Sequence, residues 1–321
     1  MSMPSDSRSD SADRSRMAGP DVLHVEFVNV FSLPGQPFSG NPLAVVTNGS
    51  ALDAATMQAL ARQFNLSETS FVLDRSPAAA SGRPSAQASH VRIFTPTVEL
   101  PFAGHPTLGT AAILGQACGL DHVTLHLAAG AVPVTRDDSG HWRLVAIPGP
   151  VARHEADLDQ LASMLGFSEA DVVAGWRVTA GVEQVLVQLR SADAVRRAVA
   201  SVEDLSTWGA CSSGESLVYL WSFDDGDPDH ASTSSRPVRE VTARLFFTQD
   251  TVVAEDPATG SAAANLGTLL AASGATGRLT IRQGDQVSRP SRLLVDYAPG
   301  TVGVAGLVHR IGHGAVTLAG G

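Results

Sequence analysis

The sequence has few features that indicate a disulfide scaffold, a metal cluster or a membrane span. Only Cys118 and Cys211 occur among 321 residues, and neither has a histidine or a second cysteine at ligand spacing. This excludes a disulfide framework and a thiolate zinc cluster, and two isolated thiols are typical of a cytoplasmic protein. No apolar run approaches the roughly 20 residues that a membrane span needs. We therefore expect a cytoplasmic protein that does not enter a membrane.

Basic charge is also scarce. The chain has 22 Lys and Arg against 32 Asp and Glu, which gives a formal net charge of −10. The basic residues are scattered and form no stripe, so we expect no nucleic-acid partner. With 44% hydrophobic residues and 17% charged ones, the chain can bury a large core in one large domain or two medium ones.

The first 20 residues lack the apolar segment of a secretory signal. The stretch MSMPSDSRSDSADRSRMAGP is polar and rich in Ser, Arg and Asp, which predicts a disordered tail over residues 1–20. Met17 is an alternative start. Ordered structure is expected from Asp21.

The rest of the chain contains many short strand patterns and a few helices. The spacing of apolar residues predicts a helix over 51–65 with Asp53 as its N-cap. Residues 75–90 and 224–237 are polar and turn-rich, and we interpret them as exposed hairpin loops. Strands are expected on both sides of each of these segments.

Two predicted helices, 106–119 and 261–274, carry no charge. Each follows a strand and a glycine turn, and a helix that is apolar all round has to be enclosed by other elements. The pattern predicts an α+β protein with two similar halves, each a curled, barrel-like sheet around a central apolar helix. Strict βαβ alternation is missing, which argues against a doubly wound parallel sheet.

The segments that open these helices, ELPFAGHPTLGTAA (99–112) and AEDPATGSAAA (254–264), have the same design. A helix N-terminus offers unpaired N–H groups and a partial positive charge, so it is suited to an anion. Gly104–His105 and Gly260–Ser261 would supply two such sets of donors. If the halves face each other, both sets point into one cleft that suits a small carboxylate.

Three ionisable residues accompany these turns. His105 lies at the first helix start, where the helix dipole favours its neutral form. Asp256 precedes the second helix, and Glu68 opens a strand in NLSETSF. Together with an anion site they could move a proton on a carbon acid. The ordinary alternatives are that Asp256 complements a helix dipole, that His105 caps a helix and that Glu68 closes a capping interaction.

A set of strings in the sequence resembles one protein family. VNVFSLPGQPFSGNPLAVV, NLSETSFVL, RIFTPTVELPFAGHPTLGTA, AEDPATGSAAA and RQGDQVSRPSRLLV occur in this order. They are similar to the phenazine-biosynthesis PhzF-like proteins, which have the diaminopimelate epimerase fold. The similarity extends from about Val25 to Val295.

This resemblance implies a domain plan and a set of partners. It predicts an N-terminal domain over 21–147, joined by C-terminal strands at 302–321, and a C-terminal domain over 148–301. The site would lie in the cleft between two pseudo-symmetric domains. The resemblance also implies a homodimer that uses neither a cofactor nor a metal.

The resemblance further implies a role for each site residue. Characterised members isomerise a dihydro-hydroxyanthranilate by moving a proton, and the glutamate of the NLSET string, here Glu68, acts as acid and base. His105 and Asp256 would assist. The expected substrate-binding residues are Asn41, Ser67, Gly104, Gly260 and Ser261.

Two positions depart from the family pattern, and the two helix starts lack the cysteines that a related racemase mechanism uses. Asn29 stands where the family usually has Asp, and Ser288 stands where it usually has Gly; both bear on the identity of the substrate. Related racemases use a cysteine at each helix start, whereas FAGHP and DPATG contain no thiol.

Three functions stay open from the sequence. The first is a cofactor-independent isomerase that shifts a proton on a small carboxylate. The second is a thiol-independent amino-acid racemase or epimerase. The third is a non-catalytic protein of the same fold that binds small carboxylates.

Overall fold

The computed structural model describes residues 22–73, 76–77, 87–212, 214–224, 238–249 and 252–318. Its strands are β1 Val22–Ser32, β2 Asn41–Val46, β3 Glu68–Val72, β4 Ser76–Pro77, β5 Gln87–Phe94, β6 Glu99–Leu100, β7 His122–Leu127, β8 Gly130–Arg136, β9 Trp142–Ala146, β10 Val151–Arg153, β11 Val172–Ala180, β12 Val182–Leu189, β13 Leu217–Phe223, β14 Val238–Gln249, β15 Val252–Asp256, β16 Gly277–Gln283, β17 Ser291–Ala298 and β18 Thr301–Thr317. Its α-helices are α1 Ala54–Phe64, α2 Gly104–Cys118, α3 Leu158–Met164, α4 Ala192–Arg197, α5 Val202–Trp208 and α6 Gly260–Ala272, and short 3-10 turns lie at Glu169–Asp171 and Asp285–Val287. The predicted N-terminal tail lies outside the described residues.

The prediction of a loop over 75–90 is wrong at both ends of this range, where the structure has strands. Ser76 and Pro77 pair with Ala88 and Gln87 as a short strand. The strand β5 begins at Gln87 because its first four residues pair in parallel with β7, which the polar, small-residue composition of this stretch does not reveal. Residues 78–86 of this loop, and 225–237 of the second predicted loop, lie outside the described residues.

The predicted helix over 51–65 is confirmed, and its start has the expected cap. The side chain of Asp53 accepts a hydrogen bond from the backbone N–H of Thr56 at 2.8 Å. Asn65 ends the helix in a left-handed conformation with φ 51°. The chain therefore turns sharply just before the NLSET string.

Eight strands close into a barrel around α2. Their order is β1, β2, β3, β5, β7, β8, β9 and β18, and β18 pairs again with β1. The helix runs through the barrel with every residue from His105 to Gly115 buried. The prediction that a charge-free helix must be enclosed is confirmed here.

The second half repeats this arrangement as a curled sheet. Its strands follow the order β10, β11, β12, β13, β14, β16, β17 and β18. In each half, two strands that pair in parallel are connected along the chain through the central helix: β5 and β7 through α2, and β14 and β16 through α6. The α+β class with two similar halves is therefore observed.

One long strand belongs to both sheets. Residues 301–305 of β18 pair with β17, residues 302–306 pair with β9, and residues 307–317 pair with β1. The C-terminal strand thus fixes the first sheet to the second. The exact domain limits at residues 147 and 301 stay a prediction. In the described part of the chain no helix is long and apolar enough to cross a membrane.

The fit of α2 inside the barrel depends on a glycine, and this can be tested. A Cβ at Gly115 would lie 2.3 Å from Cη2 of Trp142 and 2.7 Å from the carbonyl oxygen of Leu120. We expect Gly115→Ala to lower the free energy of unfolding by about 1–3 kcal/mol through overpacking, despite the higher helix propensity of alanine. Urea unfolding measures the change. The matched control is Gln116→Ala on the exposed face of the same helix; equal midpoints for the two variants would contradict the prediction.

Candidate active site

The N-terminal ends of the two central helices meet between the halves. A Cβ at Gly104 would lie 3.7 Å from Cα of Gly260 and from the backbone nitrogen of Ser261. The first turns of α2 and α6 are therefore close neighbours, separated by little more than the width of a methyl group. The expectation that both helix starts face one cleft is met by this geometry.

Both helix starts leave their first N–H groups free of side-chain caps. The N-cap residues are Ala103 for α2 and Thr259 for α6, and neither side chain caps its helix. Neither first turn contains an acidic residue. Two uncapped N-termini at one place concentrate backbone donors and partial positive charge, which is the environment that a carboxylate or phosphate requires.

A buried chain of amides fixes the hydroxyl of Ser261. Asn265 donates to Oε1 of Gln184 at 2.8 Å, and Nε2 of Gln184 donates to Oγ of Ser261 at 3.0 Å. Both amide side chains are buried. Because Oγ of Ser261 already accepts a hydrogen bond, its own O–H is left to donate to a ligand at the start of α6.

Glu68 is a largely buried carboxyl group with one oxygen that has no hydrogen-bond partner among the described residues. It is the first residue of β3, its side chain is 17% exposed, and the unpartnered oxygen is Oε2. Burial raises the pKa of Glu68 to about 8, and the nearby charge of Asp256 adds to the rise. A carboxyl group with this pKa exchanges its proton near neutral pH.

His105 faces Glu68 from the start of α2. Its Nε2 lies 3.5 Å from Oε2 of Glu68 and has no hydrogen-bond partner in the described structure. Burial lowers the pKa of His105 to about 3, against the opposing effect of the hydrogen bond to the carbonyl of Pro42. Because Nε2 has no partner, that bond is made by Nδ1–H. The two side chains thus form a neutral pair in which Nε2 offers its lone pair to the Glu68 carboxyl.

Asp256 is held by hydrogen bonds from three side chains of the surrounding residues. Its Oδ1 accepts from Nδ2 of Asn41 at 2.8 Å and its Oδ2 accepts from the hydroxyl of Thr259 at 2.6 Å. Gln283 donates to the Asp256 carbonyl and to Oγ1 of Thr259. Burial raises the pKa of Asp256 to about 6, although the hydrogen bonds from Thr259 and Asn41 oppose the rise.

Asn41 connects the two halves of the site. It donates to Asp256 and to the carbonyl of Ala258 at 3.0 Å, and it accepts from the hydroxyl of Ser67 at 3.3 Å. Ser67 precedes Glu68 in the chain. The structure therefore brings together all eight residues that the sequence predicts for the site: Asn41, Ser67, Glu68, Gly104, His105, Asp256, Gly260 and Ser261.

The capping alternatives for Glu68 and His105 do not describe this arrangement, whereas Asp256 lies close enough to the start of α6 to complement its dipole. Glu68 opens a strand and caps no helix. His105 lies inside the first turn of α2, where Ala103 is the N-cap. Asp256 ends β15 and lies three residues before the N-cap of α6. Which of these residues act in catalysis stays a prediction.

The carboxylate next to Asp256 has a structural partner. Glu255 accepts from Nη2 of Arg244 at 2.7 Å, and both side chains are buried. Nη1 of Arg244 also donates to the carbonyls of residues 195, 196 and 198 at the end of α4. Adjacent residues of a strand point to opposite faces. Glu255 therefore points towards Arg244 and the end of α4, whereas Asp256 points towards the cleft.

The sequence did not predict the residues that orient the site. Gln184 and Asn265 position Ser261, and Thr259 and Gln283 position Asp256. One signal was present: Asn265 is a polar residue in the middle of an otherwise small and apolar helix. A buried amide needs partners, so its position indicates a polar connection at that level of the helix.

The residue that departs from the family pattern, Asn29, helps to hold the chain before Asn41. Asn29 is buried, donates to the carbonyl of Pro37 at 2.6 Å and accepts from Nη2 of Arg289 at 2.6 Å. Arg289 also donates to the carbonyl of Gly40 at 3.0 Å. Arg289 therefore has a neutral amide as its side-chain partner at this position.

Among the described residues, no group of three or more His, Cys, Asp or Glu could hold a metal ion.

Comparison with known proteins identifies relatives that cover nearly the whole chain. The model of the phenazine biosynthesis-like protein family, PhzC-PhzF, matches residues 28–319. An uncharacterized isomerase of Pasteurella multocida is 34% identical over 95% of this chain and 97% of its own length. The trans-2,3-dihydro-3-hydroxyanthranilate isomerase of Pseudomonas aeruginosa is 32% identical over 83% of this chain and 88% of its own.

Solved structures agree with this comparison. A predicted epimerase from Pseudomonas aeruginosa is 31% identical with a TM-score of 0.69, covering 92% of this chain and all of its own. A hydroxyproline epimerase from Agrobacterium vitis shares 12% identity with a TM-score of 0.51, covering 93% of each chain. The latter likeness concerns the fold alone and is consistent with the expected diaminopimelate epimerase-like fold.

The burial of Glu68 predicts a stability that depends on pH. The pKa of Glu68 is about 8 in the folded protein, against the ordinary glutamate value of 4.5. Ionisation of Glu68 therefore opposes folding increasingly between these two pH values and by a constant amount above them. We expect Glu68→Gln to be as stable as the parent protein at pH 4.5 and more stable at pH 8.5, by about 1–3 kcal/mol. Urea unfolding at both pH values is the measurement. A variant that is less stable than the parent at pH 8.5 would contradict the prediction.

Proposed function

The chain belongs to the phenazine biosynthesis-like PhzC-PhzF family and is an isomerase, and we propose that it shifts a proton on a small carboxylate-bearing substrate with Glu68 as the acid and base. The observation that carries this proposal is the buried Glu68 carboxyl. It has an unpartnered oxygen, a pKa of about 8 and a neutral imidazole at 3.5 Å. A group that both takes and returns a proton works best when its pKa lies near the working pH.

The proposed reaction begins when ionised Glu68 removes a proton from a carbon of the bound substrate. The electron pair of that C–H bond moves into a π-system conjugated with it. Glu68, whose carboxyl exchanges its proton with solvent, then delivers a proton to another carbon of that system. One proton is removed and one is returned, so atoms and electrons balance without an oxidant or reductant. His105 accepts a hydrogen bond from protonated Glu68 and positions that proton.

The substrate carboxylate would bind at the two helix starts. The backbone N–H groups of α2 and α6 and the O–H of Ser261 supply the donors. They also stabilise negative charge that develops on the substrate during proton removal. An unsaturated cyclic carboxylate, as in the name of the Pseudomonas aeruginosa relative, is the first substrate class to test.

An epimerase is the second candidate, and one observation favours it. The site contains two carboxyl groups with raised pKa values, Glu68 from one half and Asp256 from the other. Two acid/base groups on opposite sides of a carbon are what inversion requires. A two-thiol version has no support, because Cys118 is at the far end of α2 from its start. Product chirality, compared with double-bond position, separates the two reactions.

The role of Glu68 is tested by proton exchange. Small carboxylic acids, beginning with unsaturated cyclic ones, are incubated with the protein in deuterated water and followed by proton NMR. We expect deuterium uptake at carbon in at least one acid, and a fall of about 10²–10⁴ in its rate for Glu68→Gln. Glu203→Gln, at an exposed position of α5, is the matched control. Full exchange by Glu68→Gln would defeat the assignment.

The pH dependence gives an independent test. Because the pKa of Glu68 is about 8, most of this carboxyl is protonated at pH 7 and the basic form increases with pH. The exchange rate at low substrate concentration should rise from pH 6 and level off above about pH 8.

Removing the charge of Asp256 provides the matching variant. The charge of Asp256 raises the pKa of Glu68, so Asp256→Asn should move the rise of the exchange rate to lower pH. A rise centred near pH 4.5 in the parent protein would contradict the assignment, as would an unchanged profile in the variant.

A further inference from the structure

A cavity of about 350 Å³ adjoins the two helix starts on the side away from Glu68. Gly104, Gly260 and Ser261 form one end of it. Neither Glu68 nor His105 nor Asp256 belongs to its lining. In the closed ring of strands, β8 and β9 lie across the barrel from β2 and β3, and the cavity is walled by β8 and β9. Its volume is that of a small-ligand pocket.

The lining of this cavity is almost entirely apolar. Its walls come mainly from β8, β9 and the turn between β11 and β12, and the described residues that line it are glycine, alanine, proline and larger apolar residues together with Ser261. Ser261 carries the only polar side chain in this set. A charged or strongly polar group would lose its hydration here without gaining a partner, whereas an apolar group gains free energy from burial.

The end of the cavity near the helix starts is built around an unusual residue. Phe31 has a φ of +62° and forms a bulge between β1 and β18, a conformation that is uncommon for a bulky side chain. A Cβ at Gly306 would lie 2.4 Å from its ring, and a Cβ at Gly260 would lie 3.2 Å from it. The two glycines thus make room for the ring, which becomes a wall shared by the cavity and the start of α6.

The rim of the cavity is apolar as well. Val145 is 55% exposed and Ile147 is 85% exposed, and both line the cavity. These two side chains extend the apolar lining of the cavity to the surface. The cavity is continuous with the helix starts, so a molecule whose anionic end lies there would extend into it.

We propose that the substrate carries an uncharged apolar group, aryl or branched alkyl, close to its carboxylate, and that this group occupies the cavity. The proposal rests on the proposed function only in placing the carboxylate at the two helix starts. It disfavours substrates that would press a second charge against these walls, such as short dicarboxylic or diamino acids, because the lining offers such a charge no side-chain partner other than Ser261. Proton transfer then takes place on the Glu68 side of the helix starts while the apolar group is held on the other side.

Three fluorinated probes test the cavity on the Glu68→Gln protein by fluorine NMR. 4-Fluorophenylacetate carries both groups, fluoroacetate carries the carboxylate alone, and 4-fluorobenzyl alcohol carries the ring without charge. Burial of the ring should make 4-fluorophenylacetate bind about 10–100-fold more tightly than fluoroacetate.

A cavity-filling variant gives the matched comparison. Ala146 lines the cavity and lies on the same face of β9 as the buried Trp142 and Leu144, so Ala146→Phe should fill the space. We expect it to weaken binding of both ring compounds about tenfold and to leave fluoroacetate binding unchanged, which also reports that the fold is intact. Ala152→Phe, at an exposed position of β10 outside the lining, should change none of the three affinities.

The possible failures are distinguishable. If fluoroacetate binds and the ring adds no affinity, the cavity proposal is overturned while the carboxylate site of the proposed function stands. If both acids bind no more tightly than the alcohol, the carboxylate site is wrong and the proposal fails with it. An equal loss of ring binding in Ala146→Phe and Ala152→Phe would also overturn the cavity assignment.

Discussion

The contact between the first turns of α2 and α6 is the constraint on which the rest of the structure depends. Each helix lacks charge and has to be enclosed by a curled sheet, so the two sheets bury the helix bodies and leave their N-termini to meet. The two backbones approach each other at Gly104 and Gly260, where a Cβ on Gly104 would lie 3.7 Å from Cα of Gly260. The same enclosure that satisfies the hydrophobic effect therefore gathers two sets of unpaired N–H groups in one place, where they repel cations and hold anions.

Around this contact, some polar side chains are joined by hydrogen bonds, and some buried polar atoms have no partner. Asn265, Gln184 and Ser261 form a chain of two hydrogen bonds that leaves the hydroxyl proton of Ser261 over, and Oδ1 of Asn265 has no partner among the described residues. Oε2 of Glu68 and Nε2 of His105 are also buried without partners, which costs free energy of folding. These two atoms face each other at 3.5 Å beside the helix starts, which is where the proposed acid and base needs a free position.

The sequence predicted the architecture well because the evidence for it is local. A helix without charge, a glycine at its start and a preceding strand can each be recognised from adjacent residues, and the pairing of two such segments predicted the meeting of the helix starts. The bulge at Phe31 and the amide chain from Asn265 to Ser261 depend on contacts between residues distant in the chain, which periodicity does not reveal. Glu255 and Asp256 show what a local pattern leaves open. Alternation along a strand predicts that they point to opposite faces, but only the contact with Arg244 shows that Glu255 is the one that points away from the cleft.

The position of the apolar cavity limits what chemistry the site can perform. A substrate that is fixed by its carboxylate at the helix starts and by an apolar group under β8 and β9 presents one region to Glu68. Isomerisation needs a proton to be returned along one face, which a single carboxyl can do when the substrate is held in place. Epimerisation needs a second acid on the opposite face, and Asp256 is the candidate; yet its two oxygens are already bonded to Asn41 and Thr259. A carboxylate so occupied is better placed to raise the pKa of Glu68 than to deliver a proton, and this favours the isomerase.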